Sequence, residues 1–168
     1  MIHWTLARFD RLSGRDVHDL LQLRCAVFVL EQACPYLDID GLDTLPGTRH
    51  LLGRQDDTLI ACARSLAPDD IGNGAGVVEG ATEARIGRVC VAASHRRSGL
   101  AGQLLGRLTD ELDRRFAGVV QRLDAQLDAV PLYERAGFTR CGEPFLEDGI
   151  AHIVMRRAPR TAAVTGRP

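Results

Sequence analysis

The sequence contains no lysine; all 21 of its basic residues are arginine. That absence excludes lysine-based catalysis and self-acylation on lysine. A charge excess of either sign is also missing. The net charge is -1, so nothing argues for bulk electrostatic attraction to nucleic acid or a membrane surface. No apolar run approaches the roughly 20 residues that span a bilayer. The N-terminus has no basic segment followed by an apolar run, so no signal peptide is expected. The five cysteines, at 25, 34, 62, 90 and 141, are odd in number and never form a CxxC pair. A zinc site or a disulfide framework is therefore not expected, no metal is assigned, and reduced cysteines suit the cytoplasm.

What is present is a chain of 168 residues with 45% hydrophobic content, enough for one domain with a sizeable core. The domain is expected over residues 1–157, with 158–168 a loose tail. Ile2 to Phe9 alternates and reads as a strand. Ser13 offers an N-cap with Asp16 three residues on. Val17, Leu20, Leu21, Arg24 and Phe28 follow at helical spacing, with Leu23, Val27 and Leu30 widening the apolar face. This helix ends before Cys34-Pro35. His50 to Arg54 and Thr58 to Leu66 read as a hairpin around Gln55-Asp56-Asp57. Residues 67 to 82 are rich in Gly, Asp, Asn and Pro, and weak order is expected at 72–76.

The chain is organised around residues 84 to 106. Ile86 to Val91 reads as a buried strand. Leucines at 100, 104, 105, 108 and 112 keep a helical period to about Phe116, before Gly118. Between them lies Arg96-Arg97-Ser98-Gly99-Leu100-Ala101. A strand, a tight turn of small and basic residues and a helix N-terminus bring free N–H groups and a positive dipole end together, which suits phosphate. A Walker-type nucleotide site is a third reading, and it is not expected because the turn has no Gly-Lys-Ser/Thr. Val119 to Leu127 reads as a strand, Val130 to Ala136 as a short helix stopped by Gly137, and Phe138 to Cys141 and Ile150 to Met155 as the last strands. The order β-α-β-β-β-α-β-α-β-β is an α/β mixed sheet with helices on its faces.

The hexapeptide at 96–101 matches the Gln/Arg-x-x-Gly-x-Gly/Ala signature of the GNAT N-acetyltransferase superfamily. Leu132-Tyr133-Glu134-Arg135-Ala136-Gly137-Phe138 resembles the superfamily's second signature, in the expected order. Leu23 to Gln32, Cys34-Pro35-Tyr36, Asp38, Asp40-Gly41, Asp43 and Gly142 to His152 resemble the ElaA-like branch. The resemblance implies a mostly antiparallel twisted sheet with two splayed central strands. It also implies acetyl-CoA as cosubstrate and transfer of an acetyl group to the amine of a small molecule or peptide. A non-catalytic acyl-CoA sensor or interaction module with the same fold is the alternative, and either a monomer or a homodimer fits.

By this resemblance Val89, Cys90 and Val91 line the pantetheine arm, and the Val91 N–H faces the thioester carbonyl and stabilises the oxyanion. Ser98, Gly99, Leu100 and Ala101 cradle the pyrophosphate, while Arg96 and Arg97 add charge for the phosphates. Tyr133 protonates the departing thiolate. Gln126, where many relatives have asparagine, can donate to a cofactor carbonyl.

The base that deprotonates the amine is open among Glu83, Glu31, Asp38, Asp40, Asp43, Glu143, Glu147, Asp148 and His152. The aspartates at 38, 40 and 43 do not form a calcium loop, because the later glutamate is missing. They are either solvated loop carboxylates or, with Tyr36, an acidic aromatic pocket for a cationic amine. Glu31, Tyr36, Asp38, Glu143 and His152 are the residues assigned to that acceptor pocket.

Overall fold

In the computed structural model, which describes residues 1–34, 36–71 and 83–160, Ser13 and Asp16 open the first helix as a reciprocal cap. Ser13 Oγ accepts from the Asp16 N–H at 3.1 Å, and Asp16 Oδ2 accepts from the Ser13 N–H at 3.1 Å. Two donors that a helix start leaves orphaned are satisfied in this way. Helix α1 (Gly14–Arg24) continues into a π-helical segment, Cys25–Glu31. There the Gln32 N–H bonds the Val27 carbonyl, five residues back. The wider turn shifts the 3.6-residue register. Leu20 and Val27 are buried, but Leu30, expected on the apolar face, is 73% exposed.

Seven strands appear in the predicted chain order: β1 (Ile2–Ala7), β2 (Arg49–Gln55), β3 (Thr58–Leu66), β4 (Glu83–Val91), β5 (Val120–Gln126), β6 (Thr139–Glu147) and β7 (Ile150–Arg157). They form one sheet ordered β1-β2-β3-β4-β5-β7-β6. Every neighbouring pair is antiparallel except β4–β5. That parallel pair needs a crossover, which α3 (Leu100–Arg115) supplies. A four-residue α2 (Pro68–Ile71) follows β3, and α4 (Val130–Arg135) joins β5 to β6. This is the mixed sheet with flanking helices that the residue patterns predict, and mostly antiparallel as the resemblance implies.

Some boundaries differ. β1 stops at Ala7, and Phe9 enters a 3-10 turn. β6 runs past Cys141 to Glu147 and includes Pro144, which an outermost strand accommodates because one of its edges needs no donor. The expectation of weak order at 72–76, and most of the predicted tail, lie outside the described residues.

Helix α3 presses Leu100, Leu104, Leu105, Leu108 and Leu112 onto one sheet face, against Ala61, Ala63, Ile86, Leu123, Ile153 and Met155. Burying a leucine side chain stabilises by about 2 kcal/mol, so this stripe fixes the start of α3 relative to the end of β4. On the opposite face α1 packs over β3 and β4, through Leu20, Val27, Leu52, Leu59, Cys62 and Cys90. No helix among the described residues is long and apolar enough to cross a membrane.

Candidate active site

β4 and β5 pair only at Glu83–Val120, Ala84–Gln121 and Arg85–Arg122. Beyond Arg85 they separate, and a cavity of about 860 Å³ opens in the gap. Gly87 to Val91 line it from β4, and Asp124 and Gln126 from β5. A bulge helps to aim β4: Arg88 and Val89 together face Ala63, between the pairs Gly87–Arg64 and Cys90–Cys62. Arg88 takes a φ of +53°. Such a bulge kinks the strand and re-aims its groups.

The alternation of the ladder then fixes Val91. The Ala92 N–H bonds the Ile60 carbonyl at 2.8 Å. Successive residues of an antiparallel strand turn their backbone groups to opposite sides. Val91 therefore directs its N–H and C=O away from β3, toward the gap. Its carbonyl is held there by Arg96 Nε at 3.1 Å, which is consistent with that direction. Val89 and Cys90 flank it in the cavity lining as expected. Cys90 lies 3.3 Å from Cys62, sulfur to sulfur.

The turn into α3 has Arg97 at φ +58° and Gly99 at φ +80°. A Cβ built on Gly99 meets nothing within 4 Å, so the glycine serves the left-handed backbone rather than a lack of room. No side chain caps α3, and the first N–H groups of the helix stay available to an anion. Arg96, Arg97, Gly99, Leu100 and Ala101 all line the cavity. Ser98 does not; its Oγ donates to the His95 carbonyl at 2.6 Å and closes the turn. Arg96 departs from its expected role, because its guanidinium is already paired with Glu31 at 2.8 Å. Arg97 is exposed and has no ion pair among the described residues.

Tyr133, on α4, is 9% exposed and lines the cavity. Its ring packs edge-on against Phe138, with centroids 6.3 Å apart. Burial pushes its phenol up to about 12, because the phenolate would lose solvation. The hydroxyl therefore keeps its proton at neutral pH, and no described residue bonds it. Gln126 lines the cavity but exchanges amide hydrogen bonds with Gln32, at 3.1 and 3.3 Å. This bridge ties the end of the π-helical segment to β5 and leaves each amide one further N–H.

The acceptor end corrects the reading of the aspartates. Asp38 and Asp43 are 8% and 4% exposed, so they are not solvated loop carboxylates. They are not free acids either. Arg24, wholly buried, bonds Asp38 and Asp43 at 2.8 Å each. Arg64 grips Asp40 with two bonds of 2.7 Å and reaches Asp43 at 2.9 Å. Arg88 bonds Asp40 at 3.0 Å; its Nε lies 2.7 Å from Asp38, in ionic contact but off the line of a hydrogen bond.

Three arginines thus neutralise three aspartates, as buried carboxylates require. Burial alone would raise the Asp40 carboxyl, but the Arg64 guanidinium outweighs it and lowers the group to about 2. Tyr36 gives its hydroxyl to Asp38 at 3.1 Å, and the Arg88 guanidinium lies 5.4 Å from its ring centroid. The aromatic position proposed for a cationic amine already faces a cation.

Of the five acceptor residues, Tyr36 and His152 line the cavity. Glu31 does not, because it pairs with Arg96. Asp38 does not, because it sits beneath Tyr36 within the ion lattice. Glu143 is exposed on β6, beside the bulge between Cys141 and Phe145. His152 stacks on Phe145, with centroids 6.0 Å apart, and its Nδ1 is 2.9 Å from the Ile150 carbonyl. A carbonyl only accepts, so Nδ1 is assigned the proton and Nε2 keeps a lone pair. Among the described residues no His/Cys/Asp/Glu cluster is arranged to hold a metal.

The sequence reading missed Gln32, Arg64 and Arg88 as cavity residues. One signal was available for the lattice: Arg24 stands at an apolar-face position of α1.

Comparison with known proteins agrees with this geometry. The acetyltransferase (GNAT) domain family matches residues 61–158. Protein ElaA of Escherichia coli is 38% identical over 157 residues, covering 94% of this chain and 97% of that protein. Its crystal structure superposes with a TM-score of 0.83. An acyl-CoA N-acyltransferase from Pseudomonas aeruginosa is 37% identical, with a TM-score of 0.84 over 94% of this chain and 100% of that one. A likeness of this extent, running through the splayed strands, the cradle and the tyrosine helix alike, shows that the chain belongs to the GNAT acetyltransferase family.

Proposed function

We infer that the chain is an acetyl-CoA-dependent N-acetyltransferase in which the acceptor amine attacks the thioester directly, in a ternary complex. The observation that carries this reading is that an inward-directed Val91 N–H and a protonated Tyr133 hydroxyl belong to one cavity between diverging strands. The gap offers β4 as a backbone edge for the pantetheine amides, and the start of α3 with Arg97 suits the phosphates. Acetyl-CoA supplies the activated carbonyl.

Around that carbonyl each residue has one task. The Val91 N–H donates to the oxygen as it gains charge. His152 Nε2 takes a proton from the amine as the C–N bond forms. Tyr133 gives its proton to sulfur as the C–S bond breaks, so the products are an amide and a free thiol. No acyl-enzyme is needed, and no nucleophilic role falls to Cys90, which packs beside Cys62.

Calorimetry with acetyl-CoA, followed by thiol release across an amine panel, tests the assignment. With an accepted amine, Tyr133→Phe is expected to lower kcat by roughly 100-fold or more with acetyl-CoA affinity unchanged. Undiminished turnover would remove the acid role. Tight binding with no thiol release for any amine would make the chain a non-catalytic acyl-CoA binder.

A further inference from the structure

Six arginines line the cavity; Arg97 and Arg135 are exposed, and one half-buried guanidinium is used by no ion pair among the described residues. Arg64, Arg88 and Arg96 line the cavity and are each paired. Arg85 also lines it, half-buried on β4, and has no ion pair or hydrogen bond among the described residues. Its neighbours sharpen the point. Arg85 stands beside Arg122 on β5, and Arg122 stands beside Arg156 on β7. Three arginines therefore form one cross-strand row. Like charges side by side on a sheet oppose each other.

Two acids answer the row. Glu83 takes Arg156 at 2.7 Å, and Asp124 takes Arg122 at 3.2 Å. One positive charge is left over, at Arg85. Arg122 Nε is in addition buried without a hydrogen-bond partner. An unmatched fork at Arg85 and an unmatched N–H on Arg122 thus stand side by side where β4 and β5 begin to part, a pairing of donors that suits an anion.

That anion is not a phosphate of coenzyme A. Arg85 and Val91 face Leu66 and Ala61, five steps apart on β3 and so about 17 Å, and the cradle at α3 lies beyond Val91. We propose that Arg85, supported by Arg122, binds an anionic group carried by the acceptor itself, so that the amine to be acetylated belongs to a molecule with a carboxylate or phosphate at its far end. The inference rests on the acetyltransferase reading above. It also sets a length. An α-amino acid, whose amine and carboxylate share one carbon, is too short to reach both the thioester and Arg85, whereas a long-chain ω-amino acid spans them.

The test uses ω-amino carboxylates of increasing chain length, each with its neutral ω-amino amide and its ω-aminoalkyl phosphate. In the wild-type protein, kcat/KM for the best anionic amine is expected to exceed that of its amide by about tenfold or more, the size of a charge-assisted hydrogen bond. In Arg85→Gln the two are expected to become equal, with KM for acetyl-CoA unchanged, and Arg85→Lys should fall between. A larger advantage for the phosphate or for the carboxylate identifies the anion. Equal rates for all three in the wild type, or a preference that survives Arg85→Gln, would overturn the proposal.

Calorimetric titration of the same amines into protein loaded with coenzyme A separates this result from the activity. Arg85-dependent binding without acetylation would leave the anion site standing and remove the transferase reading. Acetylation blind to charge would do the reverse.

Discussion

The two ends of the cavity are built from different materials. The cofactor end is mostly backbone: a strand edge at Val91, a left-handed turn at Gly99 and an uncapped helix start. The acceptor end is mostly side chain, with Arg24, Arg64 and Arg88 locked to Asp38, Asp40 and Asp43. Backbone donors can bind any ligand with the same phosphates and amides. A charge lattice defines one rigid wall and leaves specificity to the groups it does not use. The contrast separates a wall made of backbone donors from a wall made of paired side chains within one cavity.

The lattice is the place to break the contrast most severely. Arg24 has no exposed surface, and its two carboxylate partners, Asp38 and Asp43, are themselves buried. Arg24→Ala removes one cation from between Asp38 and Asp43 and leaves three buried or half-buried carboxylates to two arginines. Breaking a buried ion pair in this way costs about 3–5 kcal/mol. The expected outcome is a large fall in Tm, measured by calorimetry, with loss of acceptor use in any variant that still folds. A Tm within a degree or two of the wild type would show that the lattice does not hold the acceptor wall together.

The difference between the two ends also decides what the sequence reveals. The cofactor end was legible because its requirements are local. Gly99 must take a left-handed backbone, a leucine stripe must follow, and Tyr133 must precede Gly137, which takes φ +89° to end α4. The strand order was legible for the same reason. The aspartates at 38, 40 and 43 were visible as residues, but their partners lie at 24, 64 and 88 and meet them only when α1, β3 and β4 pack. No local spacing carries such a pairing. The arginine row is hidden further, since Arg85, Arg122 and Arg156 share a register that only the pairing of β4, β5 and β7 creates. Leu30 failed for another reason: the π-helical turn shifts the period on which its assignment relied.

Acid offers a milder way to loosen the same wall. Asp40 is held down to about 2 by Arg64, against burial, and Asp43 is also lowered because Arg24 and Arg64 outweigh its burial. A carboxyl lowered in the folded state stabilises the fold fully above its unfolded value near 3.8 and loses that contribution as pH falls toward the folded value. Asp40 alone corresponds to about 2 kcal/mol. The contribution of these two carboxyls should therefore be constant near neutrality and be lost between about pH 4 and 2, below the range in which the buried His50, lowered by desolvation, begins to act. In Asp40→Asn that acid limb should shrink, and an unchanged limb would remove Asp40 from the lattice's energetics.

The cofactor end should respond in the opposite manner, with affinity moving more than stability. Gly99→Ala meets no atom within 4 Å, but it places a Cβ at φ +80°, where an L-residue is disfavoured by about 1–2 kcal/mol. If the turn relaxes to relieve that strain, the first N–H groups of α3 lose their aim at the phosphates. Acetyl-CoA binding should weaken by about tenfold, equivalent to roughly 1.4 kcal/mol, with a small drop in Tm. Gly106→Ala is the control. It sits in the interior of α3 with nothing within 4 Å of its Cβ position, so alanine should stabilise the helix by up to about 1 kcal/mol and leave acetyl-CoA affinity unchanged. If both variants bind alike, the left-handed turn is not what holds the cofactor, and the cradle must rest on Arg97 and the helix start alone.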